Sequence, residues 1–480
     1  MKKTRIALST VIIIAVSVLF SSAAIAQSSE DALRFSSTGL GIGSRAMGMG
    51  GAYIGVADDY SAVYWNPAGL AQMRRLEFTG GLVNSNYSNN ATFLGTSATV
   101  KNGSTALDDL GFVFPFPTVR GSLVFALGYN RVNDFTTALS FNAFNNRSSI
   151  IQSFDTTKDA FDLPYWTYLR NNNGYTPITG NVNQQGDVRE DGGVGDWAFS
   201  GAIDVEQNLS FGLTINVLSG TYNYLRNYVE ADSRGQYQNA NAQSLPADSL
   251  YLSFNKFYID NTVTSQLSGV NAMFGVMYRN EDIWRVGFTI KTPSSISIHE
   301  TYTDKGQSVF DNGSGFKASD DAYNDYGVST PWVFGFGGSY SPFQGLLLAA
   351  SGEYTDWTET QWTDNSELQQ DNIFMKRLFR AVLNYSVGGE FEIPKTNLRL
   401  RAGYAMKPSP KTGDPSSYDQ KIITAGAGVL LQDNVMFDVA AAIGSVKTFH
   451  NNYGSVSENL SRTDESISAT HVDFTVSYRF

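Results

Sequence analysis

The chain of 480 residues contains no cysteine, three histidines and few charges; Asp, Glu, Lys and Arg make up 16% of it. Without cysteine there is no disulfide framework and no thiolate chemistry. The three histidines, His299, His450 and His471, stand far apart, and neither G-x-S-x-G nor H-E-x-x-H occurs, so the sequence offers no catalytic residue, cofactor site or metal site. A soluble domain carries about 25% charged residues, so the low charge points away from an ordinary water-soluble surface. Beyond residue 26 no apolar run approaches the ~18–20 residues of a spanning helix, which excludes a helical membrane protein.

What is present begins with an export signal. Lys2, Lys3 and Arg5 precede an apolar run from Ile6 to Phe20, and Ala24-Ile25-Ala26 forms a small-x-small cleavage site. The alternative, a membrane anchor, would need a longer run. Removing residues 1–26 takes three of 34 basic residues and none of 45 acids, leaving a net charge of −14. That balance speaks against a nucleic-acid partner. An exported chain without spanning helices is either a soluble secreted β-protein or an outer-membrane barrel. Aromatic residues at 13% and 45 glycines favour the barrel, whose wall faces lipid between aromatic girdles.

The strands are legible in the alternation. From His471 to Phe480 every even position is apolar and every odd one polar, the period of a wall with one face in lipid and one in a wet lumen. Phe474, Val476, Tyr478 and the terminal Phe480 form the pattern read by the outer-membrane assembly machinery; the alternative is an edge strand of a soluble sheet. The same alternation runs through 209–217, 284–291 and 398–404. Six short connections join such runs: Pro115–Thr118, Glu206–Asn208, Asn280–Asp282, Ser341–Gly345, Ile393–Asn397 and Gln432–Asn434. Seven polar stretches, roughly 87–108, 133–194, 231–262, 302–327, 358–378, 407–419 and 450–468, read as long loops. Six turns and seven loops give an all-β fold, a fourteen-stranded antiparallel transmembrane β-barrel embedded in outer-membrane lipid; a hairpin hidden in 133–194 would make sixteen. The first strand starts near Leu76, so the barrel is 76–480 and residues 27–75 are left over. They are too glycine-rich for strands and too apolar for a tail, and fourteen strands enclose more space than their own side chains fill. The reading is a hatch, or plug, inside the lumen.

Within that segment, Gly48-x-Gly50-Gly51 lacks the strand, helix and lysine of a phosphate loop, so close backbone packing is preferred. Asp58 and Asp59 lack the further carboxylates of a calcium loop and are read as caps or partners of lumen arginines. Asn66-Pro67-Ala68 reads as a turn, either a rigid one or the hinge of a movable plug. The loop residues Phe161, Leu163, Tyr165 and Trp166 are unusually apolar for an outer loop, through either ligand capture or packing on a neighbouring loop. Arg285, Arg399 and Arg401 lie on polar strand faces and are candidates for lumen charge toward a ligand carboxylate.

These residues resemble a known family. Arg45-Ala46-Met47-Gly48-Met49-Gly50-Gly51-Ala52, Ala57-Asp58-Asp59 and Trp65-Asn66-Pro67-Ala68-Gly69-Leu70 are similar to the N-terminal hatch of the FadL/TodX (OMPP1) outer-membrane transporters. Gly287–Pro293, Pro331-Trp332 through Tyr354-Thr355-Asp356-Trp357, and Arg401-Ala402-Gly403-Tyr404 with Ser409-Pro410 resemble later segments of the same family. The resemblance implies fourteen strands, a location in the Gram-negative outer membrane, and diffusive uptake of long-chain fatty acids or other hydrophobic small molecules. Residues 133–194 show no such match, and Gln27–Thr38 is longer than the family's lead-in. The family also includes accessory barrels of protein secretion, which is the alternative reading.

Overall fold

The computed structural model describes residues 29–154, 161–171, 173–237, 253–280, 283–453 and 460–480; the signal-peptide reading of 1–26 lies outside them. Fourteen wall strands run in chain order: β1 (Glu77–Phe93), β2 (Thr96–Phe116), β3 (Leu123–Asp134 and Thr137–Asn145), β4 (Val182–Glu206), β5 (Leu209–Ala231) and β6 (Phe254–Asn280). They continue with β7 (Trp284–Lys291 and Ser295–Phe310), β8 (Gly315–Ser329 and Val333–Phe343), β9 (Leu346–Asp356 and Gln361–Thr363) and β10 (Ala381–Ile393). The last four are β11 (Leu398–Lys407), β12 (Gln420–Leu431), β13 (Val435–Asn451) and β14 (Arg462–Arg479). Each pairs antiparallel with its sequence neighbours, and β14 closes on β1 from Glu77↔Arg479 to Phe93↔Thr463. No free membrane edge remains, as lipid requires.

Alternation decides which way each side chain points. Phe211, Leu213, Ile215 and Val217 face outward and are exposed, while Ser210, Thr214 and Asn216 face inward and are buried. On β14, Phe474 and Tyr478 are exposed and Asp473, Thr475 and Ser477 are buried; just beyond it, exposed Phe480 stacks on Tyr478 at 5.4 Å. The short connections all fall at one end of the barrel, joining the ends of consecutive strands; residues 281 and 282 of the Asn280–Asp282 connection lie outside the described residues.

At the other end the sequence reading needs correction. Residues 87–108 are not a loop; β1 and β2 continue through them and reverse at Leu94 and Gly95, both at positive φ. Likewise β7 and β8 run on to Phe310 and from Gly315. Above the membrane neither strand face meets lipid, so the apolar alternation that marks a strand disappears although the ladder persists. In the 133–194 stretch, β3 extends to Asn145 and pairs with β4. Fourteen strands, not sixteen, are present among the described residues.

Three adjacent strands break at one level: β7 at 292–294, β8 at 330–332 and β9 at 357–360. Pro293 and Pro331 have no N–H to give the ladder. Side chains take over: Ser294 N donates to Thr330 Oγ1 at 2.8 Å, and Trp332 N donates to Glu359 Oε2 at 3.1 Å.

Among the described residues, the chain before Glu77 contains no strand. It forms the helices α1 (Ser29–Ser36), α2 (Ser44–Gly48) and α3 (Ala62–Trp65) and a 3-10 turn, Pro67–Gln72, packed against the inner wall. Two large apolar cores occupy much of the lumen, with a smaller third cluster around Met47 and Ile422. The lower joins Ile42, Tyr53, Tyr60, Trp65 and Leu70 to wall residues such as Val113 and Val124. The upper joins Phe35 of α1 to Phe93, Phe141, Tyr228 and Phe257 of the wall and to Ile151, Leu163 and Leu169 of the β3–β4 loop.

Candidate functional site

The amino-terminal segment meets the wall through backbone. A Cβ built on Gly403 of β11 would lie 2.3 Å from the Gly50 amide nitrogen, and one built on Gly55 would lie 2.6 Å from Gly338 Cα of β8. Only glycine permits two backbones so close. This is what the Gly48–Gly51 cluster is for; the matching wall glycines escaped the sequence reading because nothing local marks them.

Asn66 is fully buried. Its Oδ1 accepts from Ala68 N at 3.1 Å, and its Nδ2 donates to Ile54 O at 3.0 Å and to Val276 O of β6 at 3.2 Å. One side chain thus caps the Pro67 turn and ties it to the wall. Pro67 and Ala68 are buried beside Gly212 of β5.

Charge adds a second fastening. Arg285 of β7 bonds Asp58 at 3.0 Å, and Asp58 also pairs with Arg45 of α2. Arg45 forks onto Glu390 of β10 at 2.8 and 2.9 Å. Glu390 accepts from Arg401 of β11 at 2.7 Å, and Arg401 reaches Asp438 of β13 at 2.5 Å. Six alternating charges cross the lumen floor in one chain. Burial by itself would push the Asp58 carboxyl up; Arg45 and Arg285 outweigh it and hold Asp58 well below the usual carboxylate range. Asp59 accepts from Tyr53 Oη at 2.5 Å and from Ser61 N at 3.0 Å.

Each arginine expected to offer charge to a ligand therefore faces a protein carboxylate; Arg399 bonds Glu392 at 3.0 Å near the β10–β11 turn. The apolar loop residues divide. Leu163 is buried in the upper core, while Tyr165 and Trp166 are exposed and Phe161 stacks on Trp166 at 6.0 Å.

Above the floor, space remains between the amino-terminal segment and the wall. Thr38 and Lys407 line three adjoining cavities of about 50, 230 and 370 Å³. The smallest is apolar around Leu40, Met47, Ile54, Trp65, Met406 and Ile422. Lys407 Nζ donates to Gly39 O at 2.6 Å, fixing the chain that separates the compartments.

The wall beside these cavities carries a seam. β2 and β3 pair only from Phe116↔Leu123 to Asp109↔Asn130. Beyond that, β2 pairs with β1 and β3 with β4, and side chains of β2 bridge the gap: Ser104 Oγ to Asp134 Oδ2 at 2.7 Å and Asn102 Nδ2 to Thr137 O at 2.9 Å; Asn89 Nδ2 of β1 also reaches over to Ala138 O of β3 at 2.9 Å. β3 is interrupted at the same height by Phe135 and Thr136. Arg131 lines the 230 Å³ cavity inside and also a groove of about 770 Å³ on the outer face, floored by Gly192, Gly193, Gly195 and Gly220. No periodicity announces this seam; only the pairing of the strands exposes it.

Residues 179–480 match the model of the family described as outer membrane protein transport protein (OMPP1/FadL/TodX). Comparison with curated proteins finds no match. Among solved structures, the fold is similar to the toluene transporter TodX of P. putida (TM-score 0.58, 13% identity, 92% of this chain and 99% of that one). It is also similar to the toluene transporter TbuX of Ralstonia pickettii (0.52, 16%, 92% and 99%) and to a Pseudomonas aeruginosa FadL homologue (0.56, 14%, 92% and 98%). At these identities the likeness is one of fold.

Proposed function

The chain belongs to the outer membrane protein transport family (OMPP1/FadL/TodX), and from that premise we propose that it admits hydrophobic small molecules, long-chain fatty acids or aromatic hydrocarbons, by diffusion. Residues 27–75 act as the plug that keeps the lumen from being an open pore. Exposed Tyr165 and Trp166 at the mouth make the first contact, with Phe161 behind them. The ligand then occupies the apolar pocket beside Leu40 and Met47 and leaves sideways through the β2–β3 seam.

The observation that carries this reading is the seam itself, with a cavity inside, a groove outside and Arg131 on both. Side-chain bonds across it are cheaper to open than a backbone ladder, each contributing about 1 kcal/mol. The floor, by contrast, is fastened by backbone approach and buried charge, so the seam rather than the floor supports passage.

Because the chain has no cysteine, the seam can be locked cleanly. In a Ser104→Cys/Asp134→Cys variant, oxidation should abolish uptake of labelled fatty acid and toluene, and reduction should restore it. Uptake that persists with the bond formed sinks the lateral route; uptake that is the same with and without the protein sinks transport altogether.

A further inference from the structure

The rim of the barrel is uneven. β10 has 13 residues and β6 has 27. At ~3.3 Å per residue and a tilt of ~40°, they rise about 33 and about 68 Å from the inner turns. The apolar band of such a barrel is ~25 Å tall. The outer end of β10 therefore sits at the lipid headgroups, whereas the β4–β8 wall stands well clear in water.

On the low rim, immediately before β10, lies a seven-residue helix, α4 (Asn372–Leu378). It is docked from one side: Met375 is fully buried, Leu378 O accepts from Thr412 N at 2.7 Å, and Arg380 N donates to Pro410 O at 2.9 Å. Its outward arc carries Ile373 and Phe374, 67% and 54% exposed, with exposed Lys376 and Arg377. At 3.6 residues per turn these four occupy roughly 160° of the helix. Neither cation has an ion-pair partner among the described residues. Directly below, Tyr354, Leu383, Tyr385 and Val387 are exposed on the lipid face of β9 and β10, so the apolar pair continues the membrane band upward. Adjacent apolar and basic residues on one face are the pattern of an element lying in a membrane interface.

We propose that α4 is a lipid-docking element of the low rim: Ile373 and Phe374 enter the headgroup–acyl boundary of the outer leaflet while Lys376 and Arg377 bind phosphate groups of its anionic lipid. The docking holds the mouth against the lipid surface. The 370 Å³ cavity, lined by Trp357, Val382, Lys411 and Phe449, lies beside this rim. A hydrophobic solute dissolved in the outer leaflet then meets the low rim first, independently of which route it takes out.

The test uses the full chain with single cysteines carrying a nitroxide, reconstituted in phosphatidylcholine–phosphatidylglycerol vesicles. A label from Ile373→Cys should meet dissolved oxygen rather than an aqueous nickel reagent, as one from lipid-facing Leu383→Cys does. A label from Tyr323→Cys on the tall wall, where the tyrosine is 81% exposed, should meet the nickel reagent. Nickel accessibility at 373 equal to that at 323 overturns the proposal. So does dipolar broadening at 373, which would mean that a second copy covers the helix. In Lys376→Gln/Arg377→Gln, native mass spectrometry should show retained phosphatidylglycerol lost while retained phosphatidylcholine is unchanged; undiminished phosphatidylglycerol overturns the phosphate contacts.

Discussion

At the floor of the lumen the amino-terminal segment touches the wall backbone to backbone, and six buried charges run from Arg285 to Asp438. At the mouth, Tyr165 and Trp166 lie exposed above an aromatic core. The first arrangement tolerates no added atom and no missing partner; the second leaves apolar surface available. On the proposed function, rigidity and capture fall to opposite ends of one cavity, and substitutions can separate them.

The largest effect should come from Gly403→Val. Its side chain would have to occupy the place of the Gly50 amide, so the segment or the strand must be displaced. The variant should assemble poorly and show protease-accessible residues before Glu77. Gly80→Ala, whose Cβ would find nothing nearer than 3.6 Å, should assemble normally. Equal behaviour of the two would mean that the floor is looser than its contacts imply.

Arg401→Leu should cost about 3–5 kcal/mol, because Glu390 and Asp438 are left buried beside one cation fewer. Thermal unfolding in detergent reads this directly. Bilayer conductance should rise if the segment is released, which would sharpen the contrast between a fastened floor and an open seam.

Asp58→Asn tests the same ladder through pH. The Asp58 carboxyl is held below its unfolded value, so its contribution is complete above that value, ~3.9, and is lost as pH falls through the folded one. The wild-type chain should therefore lose stability below about pH 4 more steeply than the asparagine variant, which starts lower at neutral pH. Parallel acid limbs would remove Asp58 from the ladder.

Trp166→Ala should have the smallest stability effect, within about 0.5 kcal/mol, since the ring is half exposed. Uptake at low ligand concentration should nevertheless fall. Unchanged uptake would return the segment to a packing role.

Much of the fold is legible in the sequence. Alternation such as 471–480 is local, because one face meets lipid and the other water, and Pro, Asn and Gly mark the short turns. The wall was harder to follow above the membrane, where the outer face of 87–108 or 302–327 meets water instead of lipid and polarity no longer tells strand from loop. The motif residues Asp58, Asn66 and Pro67 were visible as a cluster with turn chemistry, but their wall partners were not.

By itself, then, the sequence determined the strand faces, the turns, their number and a glycine-rich amino-terminal segment without strands, since each depends on neighbours in the chain. Tertiary structure alone decided which glycines face one another, which carboxylate each arginine meets, where β2 parts from β3 and how low the rim falls at β10. Those features join residues hundreds of positions apart, such as Arg45 with Glu390, and close approach in space leaves no periodic trace along a chain.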